Sequence, residues 1–275
     1  MAFVKNKILP QTKKGKRCGV IDTHCHLDNE RYEDDLEAVI NRAFAFGVDK
    51  IIIPGADTKD LAKAIAIAEK YPPIYFAVGA HPDEIAGFSV DFFRDFLSHP
   101  KCVAVGECGL DYYRLPPQEE RQDYKNAQKE AFIAQIKLAI AFDKPLIVHI
   151  REASFDAFEI LNHYPQARGV LHCFNADAIL LGLSNRFYYG IGGVATFKNA
   201  KKIVEILPQI PKNRLLLETD APYLSPHPYR GERNEPMRIP LIATKIAEIL
   251  AIDVASLASL TTQNAYDLFG LAICE

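Results

Sequence analysis

Four histidines and two carboxylates in this sequence have side chains that commonly bind divalent metal ions. His24 and His26 flank one cysteine, and a spacing of two residues on an extended chain directs both imidazoles to the same face. The other four residues are dispersed along the chain: Glu107, His149, His172 and Asp220. Together they suit zinc, manganese or mixed occupancy. A lone histidine is commonly a hydrogen-bonded structural residue, so a metal site requires a fold that brings all six together.

Eight short segments rich in β-branched residues have the composition of buried strands. They are predicted at Gly19–His24, Lys50–Pro54, Ile74–Ala80, Cys102–Glu107, Leu146–Ile150, Gly169–His172, Tyr188–Gly192 and Arg214–Glu218. Several are continuously apolar, such as Ile51–Ile53 and Leu215–Leu217, as expected of parallel strands covered on both faces. No Asn-Gly or Asp-Gly hairpin turn lies between them.

The segments between these strands have the 3.6-residue periodicity of amphipathic helices. Apolar residues recur at helical spacing over Leu36–Phe44, and Gly47 ends that helix. A longer helix has its apolar face over Phe132–Ile140 and ends before Pro145. Strand and helix thus alternate along the chain, which predicts an α/β fold with a parallel sheet.

Eight repeats of about 25 to 40 residues predict a (β/α)8 TIM barrel in a single domain. An open doubly wound sheet usually has a glycine-rich phosphate loop after its first strand, where this chain has His24–His26. Pro236 and Pro240 are predicted to open the last barrel helix. Residues Leu257–Gly270 then form an added C-terminal helix that closes one end of the barrel.

In such a barrel, the active site lies at the carboxyl ends of the strands. All six candidate ligands end or follow a predicted strand. Charged side chains brought together there without a partner would be costly to desolvate. The sequence therefore predicts a metal centre at the carboxyl end of the barrel.

The charge distribution separates a basic N-terminus from an acidic body. The 275 residues include 32 basic and 35 acidic side chains, and six of the basic ones lie in the first 17 residues, where there are no acidic residues. Residues 1–18 are predicted to be a basic, disordered extension and residues 19–275 to form the barrel. An acidic body disfavours non-specific binding of polyanions, unless bound divalent cations offset its charge.

The cysteines and the apolar segments indicate a soluble protein of the cytoplasm. The six cysteines show neither a CxxC pair nor the regular spacing of a disulfide framework, as is typical of reduced thiols. No apolar run approaches the roughly 20 residues that a membrane-spanning helix needs. The N-terminus also lacks the apolar segment of a signal peptide.

Several short motifs around the candidate ligands are specific in combination. They are Ile21–Asp28, Gly79–Pro82, Gly106–Tyr113, Pro145–Arg151, Leu171–Phe174, Glu218–Leu224, Arg230–Gly231 and Asn234–Pro236. Together they resemble the TatD family of metal-dependent deoxyribonucleases, within the amidohydrolase-like barrels, from about residue 20 to 270. Two features depart from the family: Asn175-Ala176 stands where Ser-Gly is frequent, and the basic extension is not typical. The first departure borders the site and bears on substrate preference.

The resemblance implies a site for two divalent ions: zinc, manganese or magnesium. His24, His26 and Asp220 would hold one ion, His149 and His172 the other, and Glu107 would bridge them. Two such ions activate a bridging water and stabilise both the attacking and the leaving oxygen of a phosphodiester. Asp220 would orient that water and accept its proton.

Three further residues are predicted to contact substrate. Arg151 lies two residues beyond His149, on the same face, and can neutralise a phosphate oxygen; a salt bridge at the barrel rim is the alternative. His81 is predicted to hydrogen-bond to phosphate or bound water. Arg230, in a proline-rich loop after the last strand, suits either substrate contact or anchoring of the loop, as does Asn234.

Other residues beside the ligands have supporting roles in this interpretation. Asp22 and Asp111 are predicted to orient ligand histidines. Four aromatic residues follow ligand motifs and can stack on bases or pack in the core: Tyr112, Tyr113, Phe174 and Tyr223.

The predicted function is hydrolysis of DNA phosphodiester bonds by a monomeric, exonuclease-like enzyme that acts on single strands or ends. The mouth of a barrel does not easily admit an intact duplex. The alternative is an amidohydrolase that cleaves a cyclic amide or ester at the same binuclear site. Arg151 favours the phosphodiester, because a carbonyl substrate needs no phosphate-neutralising arginine. A metal-dependent binding protein without activity is a third hypothesis, and the complete set of ligands argues against it.

Overall fold

The computed structural model describes residues 19–86 and 88–271, so the predicted basic extension lies outside the described residues. Eight parallel strands follow one another in chain order around a barrel. They are β1 Val20–Asp22, β2 Val48–Ile53, β3 Ile74–Val78, β4 Cys102–Asp111, β5 Leu146–Arg151, β6 Gly169–Leu171, β7 Phe187–Ile191 and β8 Leu215–Leu217. The predicted single-domain (β/α)8 barrel is confirmed.

The first and last strands are joined by backbone hydrogen bonds. Thr23 N donates to Leu217 O at 3.1 Å, and Asp220 N donates to His24 O at 2.9 Å. The chain after β1 continues beside the chain after β8, where Cys25 and Ala221 form a parallel bridge. The barrel closure therefore brings Asp220 next to the two histidines at the opposite end of the sequence.

The helices lie between the strands, as the periodicity predicted. In the described residues the α-helices are α1 Leu36–Ala45, α2 Leu61–Lys70, α3 Val90–Arg94, α4 Arg121–Ala141, α5 Ser154–His163, α6 Lys201–Ile206, α7 Ile239–Leu250 and α8 Val254–Phe269. Between β6 and β7 the connection is a 3-10 helix, Ala178–Leu183. Over the same residues, no helix combines the length and apolar character needed to cross a membrane.

The largest difference from the predicted strands is in β4, which continues four residues beyond Glu107. After a shift in register between Val105 and Cys108, its ladder to β5 resumes and pairs Gly109 with His149. Gly109 has a φ of +143°, and a Cβ atom there would lie 2.0 Å from the carbonyl oxygen of His149. Glycine thus permits the close approach that lets β4 pass beyond its ligand residue.

Helix α8 closes the amino end of the barrel, as predicted. Its residues Ala265, Tyr266, Leu268 and Phe269, with Leu271, share one buried apolar cluster with residues from all eight strands: Ile21, Ile52, Ala77, Val103, Ala104, Ile147, Val170, Tyr188 and Leu216. Side chains therefore fill the half of the barrel nearest its amino end. The open end is the carboxyl end, where the candidate ligands lie.

Candidate metal centre

The six predicted ligands converge at the carboxyl end of the barrel. Five of them line a cavity of about 460 Å³: His26, Glu107, His149, His172 and Asp220. The sixth, His24, is fully buried beneath it. Each comes from a strand or from the residues directly after one, so the register of the barrel positions the whole set.

Glu107 is at the centre of this group, and its two oxygens face different histidines. Oε2 lies 3.2 Å from His24 Nε2 and 3.8 Å from His26 Nε2. Oε1 lies 2.9 Å from His149 Nδ1 and 3.6 Å from His172 Nε2. A single buried carboxylate therefore joins two pairs of imidazoles.

Asp220 completes the half of the site formed by His24 and His26. Its Oδ1 lies 3.5 Å from His26 Nε2 and 3.8 Å from His24 Nε2. The backbone of Asp220 has a φ of +55°, a conformation that residues other than glycine rarely adopt. The hydrogen bond from its amide to His24 O holds this conformation and directs the carboxylate toward the histidines.

The donor set fits a metal-binding group. His24 Nε2 and His26 Nε2 lie 3.2 Å apart, with Glu107 Oε2 close to both. Two sets of three residues each have one potential ligand atom per residue within 4.8 Å of the other two. One set is His24, His26 and Glu107, and the other is Glu107, His149 and His172. Imidazole nitrogens around a shared carboxylate are the usual ligands of zinc and related divalent ions.

The pKa shifts follow from this crowding of carboxylates and imidazoles. Burial opposes ionisation of Glu107, but His24 and His172 hold its pKa well below the usual value. Burial also opposes protonation of His26, but Asp220 and Glu107 raise its pKa to about 9. A divalent ion must therefore displace protons from this site, and metal binding is expected to release them.

Asp111 and Asp22 support the site in different ways. Asp111 Oδ2 lies 3.1 Å from His149 Nε2, so it orients that ring with Nδ1 toward Glu107. Asp22 accepts hydrogen bonds from the backbone amides of His24 and Thr219, at 3.3 Å and 2.9 Å. The side chain of Asp22 thus links β1 to the chain after β8 by accepting hydrogen bonds from backbone amides.

Comparison with known proteins identifies the family of this chain. Residues 21–270 match the family model described as TatD related DNase. The chain belongs to the TatD family. It is 40% identical over 259 residues to YabD of Bacillus subtilis, named an uncharacterized metal-dependent hydrolase, covering 91% of this chain and 98% of the relative. The family resemblance predicted from the motifs is confirmed, and the chain is a member of a family of metal-dependent hydrolases.

Two further relatives agree in sequence or in fold over nearly the whole barrel. The chain is 31% identical over 268 residues to a protein of Escherichia fergusonii named 3'-5' ssDNA/RNA exonuclease TatD, covering 92% of this chain and all of the relative. The crystal structure of YjjV, a TatD homologue from Escherichia coli, matches with a TM-score of 0.83 at 31% identity and covers 93% of this chain and 99% of that one.

His81 and Arg151, both predicted to contact substrate, lie beside the predicted ligands. His81 Nε2 is 3.7 Å from Glu107 Oε1, and its Nδ1 accepts a hydrogen bond from the backbone amide of Asp83. Arg151 lines the cavity, and its guanidinium lies 3.6 Å from the ring centroid of Tyr113. A cationic group therefore stacks on an exposed aromatic ring at the rim.

The loop after β8 is held by its own contacts. Asn234 is buried and donates hydrogen bonds to Thr219 O and Tyr223 O, at 3.0 Å and 2.7 Å. The guanidinium of Arg230 lies 3.7 Å from the ring centroid of Phe197, outside the residues that line the cavity. The structure thus does not bring Arg230 to the predicted site.

The four aromatic residues named from the sequence divide into two pairs. Tyr112 and Phe174 are buried, and the Tyr112 hydroxyl donates a hydrogen bond to Asp156. Tyr113 and Tyr223 are 52% and 42% exposed, and Tyr223 lines the cavity. The second pair alone can present a ring face to a substrate base.

The departure at Asn175-Ala176 lies in the loop after β6. Asn175 Nδ2 donates to Ser154 Oγ at 3.0 Å, which ties this loop to the start of α5. Ala176 has a φ of +61°, where the family's frequent glycine would adopt the conformation without strain. Ala176 therefore adopts a left-handed backbone conformation that a glycine would accommodate more easily.

Glu218 was not predicted to act at the site, although it ends a predicted strand and begins the motif Glu218–Leu224. Glu218 is fully buried, and its Oε1 accepts a hydrogen bond from the Cys173 amide at 2.6 Å. The same oxygen lies 3.2 Å from His172 Nδ1. A usable signal was present, since Glu218 precedes Asp220 by two residues at the carboxyl end of a barrel strand.

Proposed function

We propose that this TatD family member hydrolyses DNA phosphodiester bonds at a two-ion site and removes nucleotides from single-stranded ends. The observation that carries the proposal is the pair of Glu107 oxygens, each facing its own two histidines at the mouth of the barrel. The name of the Escherichia fergusonii relative, a 3'-5' ssDNA/RNA exonuclease, supports the same substrate class.

In this proposal the six ligands form two overlapping sets. His24, His26 and Asp220 would hold one ion and His149 and His172 the other, and Glu107, whose two oxygens face the two pairs of histidines, would contribute to both. Bound divalent ions would supply Lewis acidity, which makes water nucleophilic near neutral pH and neutralises the leaving oxygen. Proton transfer and binding of the phosphate are assigned to the side chains of the protein.

Asp220 is placed to accept the proton of the attacking water. Burial opposes its ionisation, but His26, His172 and His24 hold the pKa of Asp220 below the usual value. The lowered pKa keeps the carboxylate ionised at neutral pH. Its side chain is 14% exposed at the cavity, so it is within reach of solvent. An ionised carboxylate at a fixed position serves as a general base.

His81 is placed to donate a hydrogen bond to a phosphate oxygen. Its Nδ1 accepts from the Asp83 amide, so in the neutral ring the proton resides on Nε2. That nitrogen points toward the Glu107 end of the cavity. Arg151 lines the same cavity and adds a positive charge, which favours a phosphodiester over a neutral amide or ester.

The rim of the cavity makes substrate binding depend on the ions. Six acidic residues line it in addition to the predicted ligands Glu107 and Asp220: Asp28, Asp57, Asp60, Asp83, Glu84 and Asp111. A polyanion is repelled by such a surface unless divalent cations offset the charge. A volume of about 460 Å³ is also that of a small-ligand site, which suits a strand end and excludes an intact duplex.

The test is a metal-free preparation reloaded with single divalent ions and assayed on end-labelled oligonucleotides. We expect metal-dependent release of mononucleotides from single-stranded DNA, with slower attack on duplex. RNA, a carboxylic ester and a dihydropyrimidine are assayed beside it under the same conditions. Turnover of the ester or the dihydropyrimidine with no cleavage of DNA would contradict the proposal and favour the amidohydrolase alternative.

Arg151→Gln is expected to lower kcat/KM for oligonucleotides by roughly 10- to 100-fold, because hydrogen bonds to charged groups contribute about 1.5–3 kcal/mol. Metal stoichiometry should not change, since Arg151 contacts no ligand in the described residues. Arg168→Gln is the matched control, because Arg168 pairs with Asp143 just before β6, at the other end of the barrel. Wild-type kcat/KM for Arg151→Gln would show that this arginine does not bind the phosphate.

A further inference from the structure

A second buried carboxylate, Glu218, lies behind the metal centre. His172 faces Glu107 through Nε2, at 3.6 Å, and faces Glu218 through Nδ1, at 3.2 Å. The His24 ring stacks on the His172 ring, with centroids 3.5 Å apart and planes 14° from parallel. One ring nitrogen of each histidine and one oxygen of Glu218 lie within 4.8 Å of one another. Glu218 therefore adjoins a histidine from each half of the site.

Three buried side-chain nitrogen or oxygen atoms in the described residues lack a hydrogen-bond partner, and all belong to this trio: His24 Nδ1, His172 Nδ1 and Glu218 Oε2. Buried polar groups are nearly always paired, so three unpaired atoms in one place require an explanation. Two imidazole nitrogens and a carboxylate oxygen are complementary as donors and acceptor. The Glu218 carboxylate can accept a hydrogen bond from each of the two imidazole N–H groups.

We propose that Glu218 is a positioning residue that accepts the Nδ1 protons of both His24 and His172 and thereby couples the two metal positions. The inference rests on the proposed two-ion function, in which these histidines bind different ions. A proton kept on Nδ1 leaves the Nε2 lone pair free for a metal ion. Glu107 would then join the two halves from the cavity side, and Glu218 from behind.

The surroundings of Glu218 hold its carboxylate in place. The Cys173 amide donates to Oε1 at 2.6 Å, which fixes one oxygen beside His172. Gly190 in β7 leaves room for the other, because a Cβ atom at that position would lie 2.1 Å from Oε2. The position of the carboxylate is thus determined by its neighbours on β7 and in the loop after β6.

Asp111 offers a matched comparison for Glu218. It lies 3.1 Å from His149 Nε2 and orients one ligand, in one half of the site. Replacement of either carboxylate by its amide removes the same charge and the same kind of contact. Glu218→Gln is expected to weaken binding of both ions by 10- to 100-fold, the usual cost of losing such a partner, whereas Asp111→Asn should weaken one ion.

The experiment titrates metal-free wild type, Glu218→Gln and Asp111→Asn with Mn²⁺ and counts free Mn²⁺ by electron paramagnetic resonance. Two weakened dissociation constants in Glu218→Gln, against one in Asp111→Asn, support the coupling. Two unchanged constants, or a single weakened one, overturn it while the two-ion function stands. Saturation of wild type at one ion would instead overturn the two-ion function and the coupling with it.

A measurement on wild type keeps the proposal testable if Glu218→Gln does not fold. In Zn²⁺-loaded protein labelled with ¹⁵N, both His24 and His172 should show a protonated Nδ1 and an unprotonated Nε2. A bare Nδ1 on either ring would overturn the proposal. Because Zn²⁺ bound at Nε2 by itself leaves the proton on Nδ1, the decisive readout is the hydrogen bond: the Nδ1 protons of both rings should be shifted downfield and protected from exchange, and a Glu218 that serves only the Cys173 amide would leave at least one of them without that shift.

Discussion

Asp220→Asn is expected to lower kcat for oligonucleotide cleavage by on the order of 10² or more, the usual contribution of a general base. An amide cannot accept the proton of the attacking water at neutral pH, and it is a weaker, neutral ligand for the ion that we propose His24 and His26 to bind. The change keeps the size of the side chain. The melting temperature should therefore shift much less than in a core truncation such as Ile52→Ala, which would cost about 2–5 kcal/mol.

The measurement is kcat at saturating metal, with metal content determined on the same sample. Measuring kcat at saturating metal concentration separates the effect of losing the general base from the effect of losing the bound ion. Asp60→Asn is the matched control, because Asp60 is another carboxylate at the cavity and has no contact with the ligand histidines in the described residues. Near-wild-type turnover of fully folded Asp220→Asn would disprove the assigned role.

Glu107→Gln is expected to lower the occupancy of both metal positions. In wild type we expect close to two ions per chain, because Oε2 faces His24 and His26 while Oε1 faces His149 and His172. An amide offers one neutral oxygen and a nitrogen that does not bind metal well, so neither half keeps its shared ligand. Hydrolysis should fall together with occupancy.

Elemental analysis after gel filtration measures this effect directly. Glu84→Gln is the control, since Glu84 lines the same cavity without contacting the histidines in the described residues. Full metal content in Glu107→Gln would contradict the shared carboxylate. At most one ion in saturated wild type would contradict the binuclear site itself.

The sequence by itself determined the barrel and the positions of the chemistry along it. Continuous apolar runs such as Ile51–Ile53 are buried on both faces in any parallel sheet, so composition alone predicted the strands. Strand ends were less well predicted, as β4 shows, because a ladder can continue past a polar residue when a glycine such as Gly109 permits close approach. The shared orientation of His24 and His26 could be predicted from the sequence because residues two apart on a strand point to the same face.

Only the tertiary structure decided which side chains meet. Arg151 and Arg230 were both predicted from the sequence to contact substrate, yet Arg151 lies at the cavity while Arg230 stacks on Phe197. Exposure likewise separated Tyr113 and Tyr223 from the aromatic residues of the core. Local patterns encode burial and periodicity, but they carry no information about neighbours that come from other strands.

Glu218 shows the same limit most clearly. Its position at the end of a strand was evident, but its proposed role depends on His24, His172 and the space left by Gly190, which come from β7 and from the residues after β1 and β6. Those contacts exist only once the barrel has closed and its register is set. The sequence therefore determined which residues stand at the mouth of this barrel, and the packing between strands decided which atoms of those residues face one another.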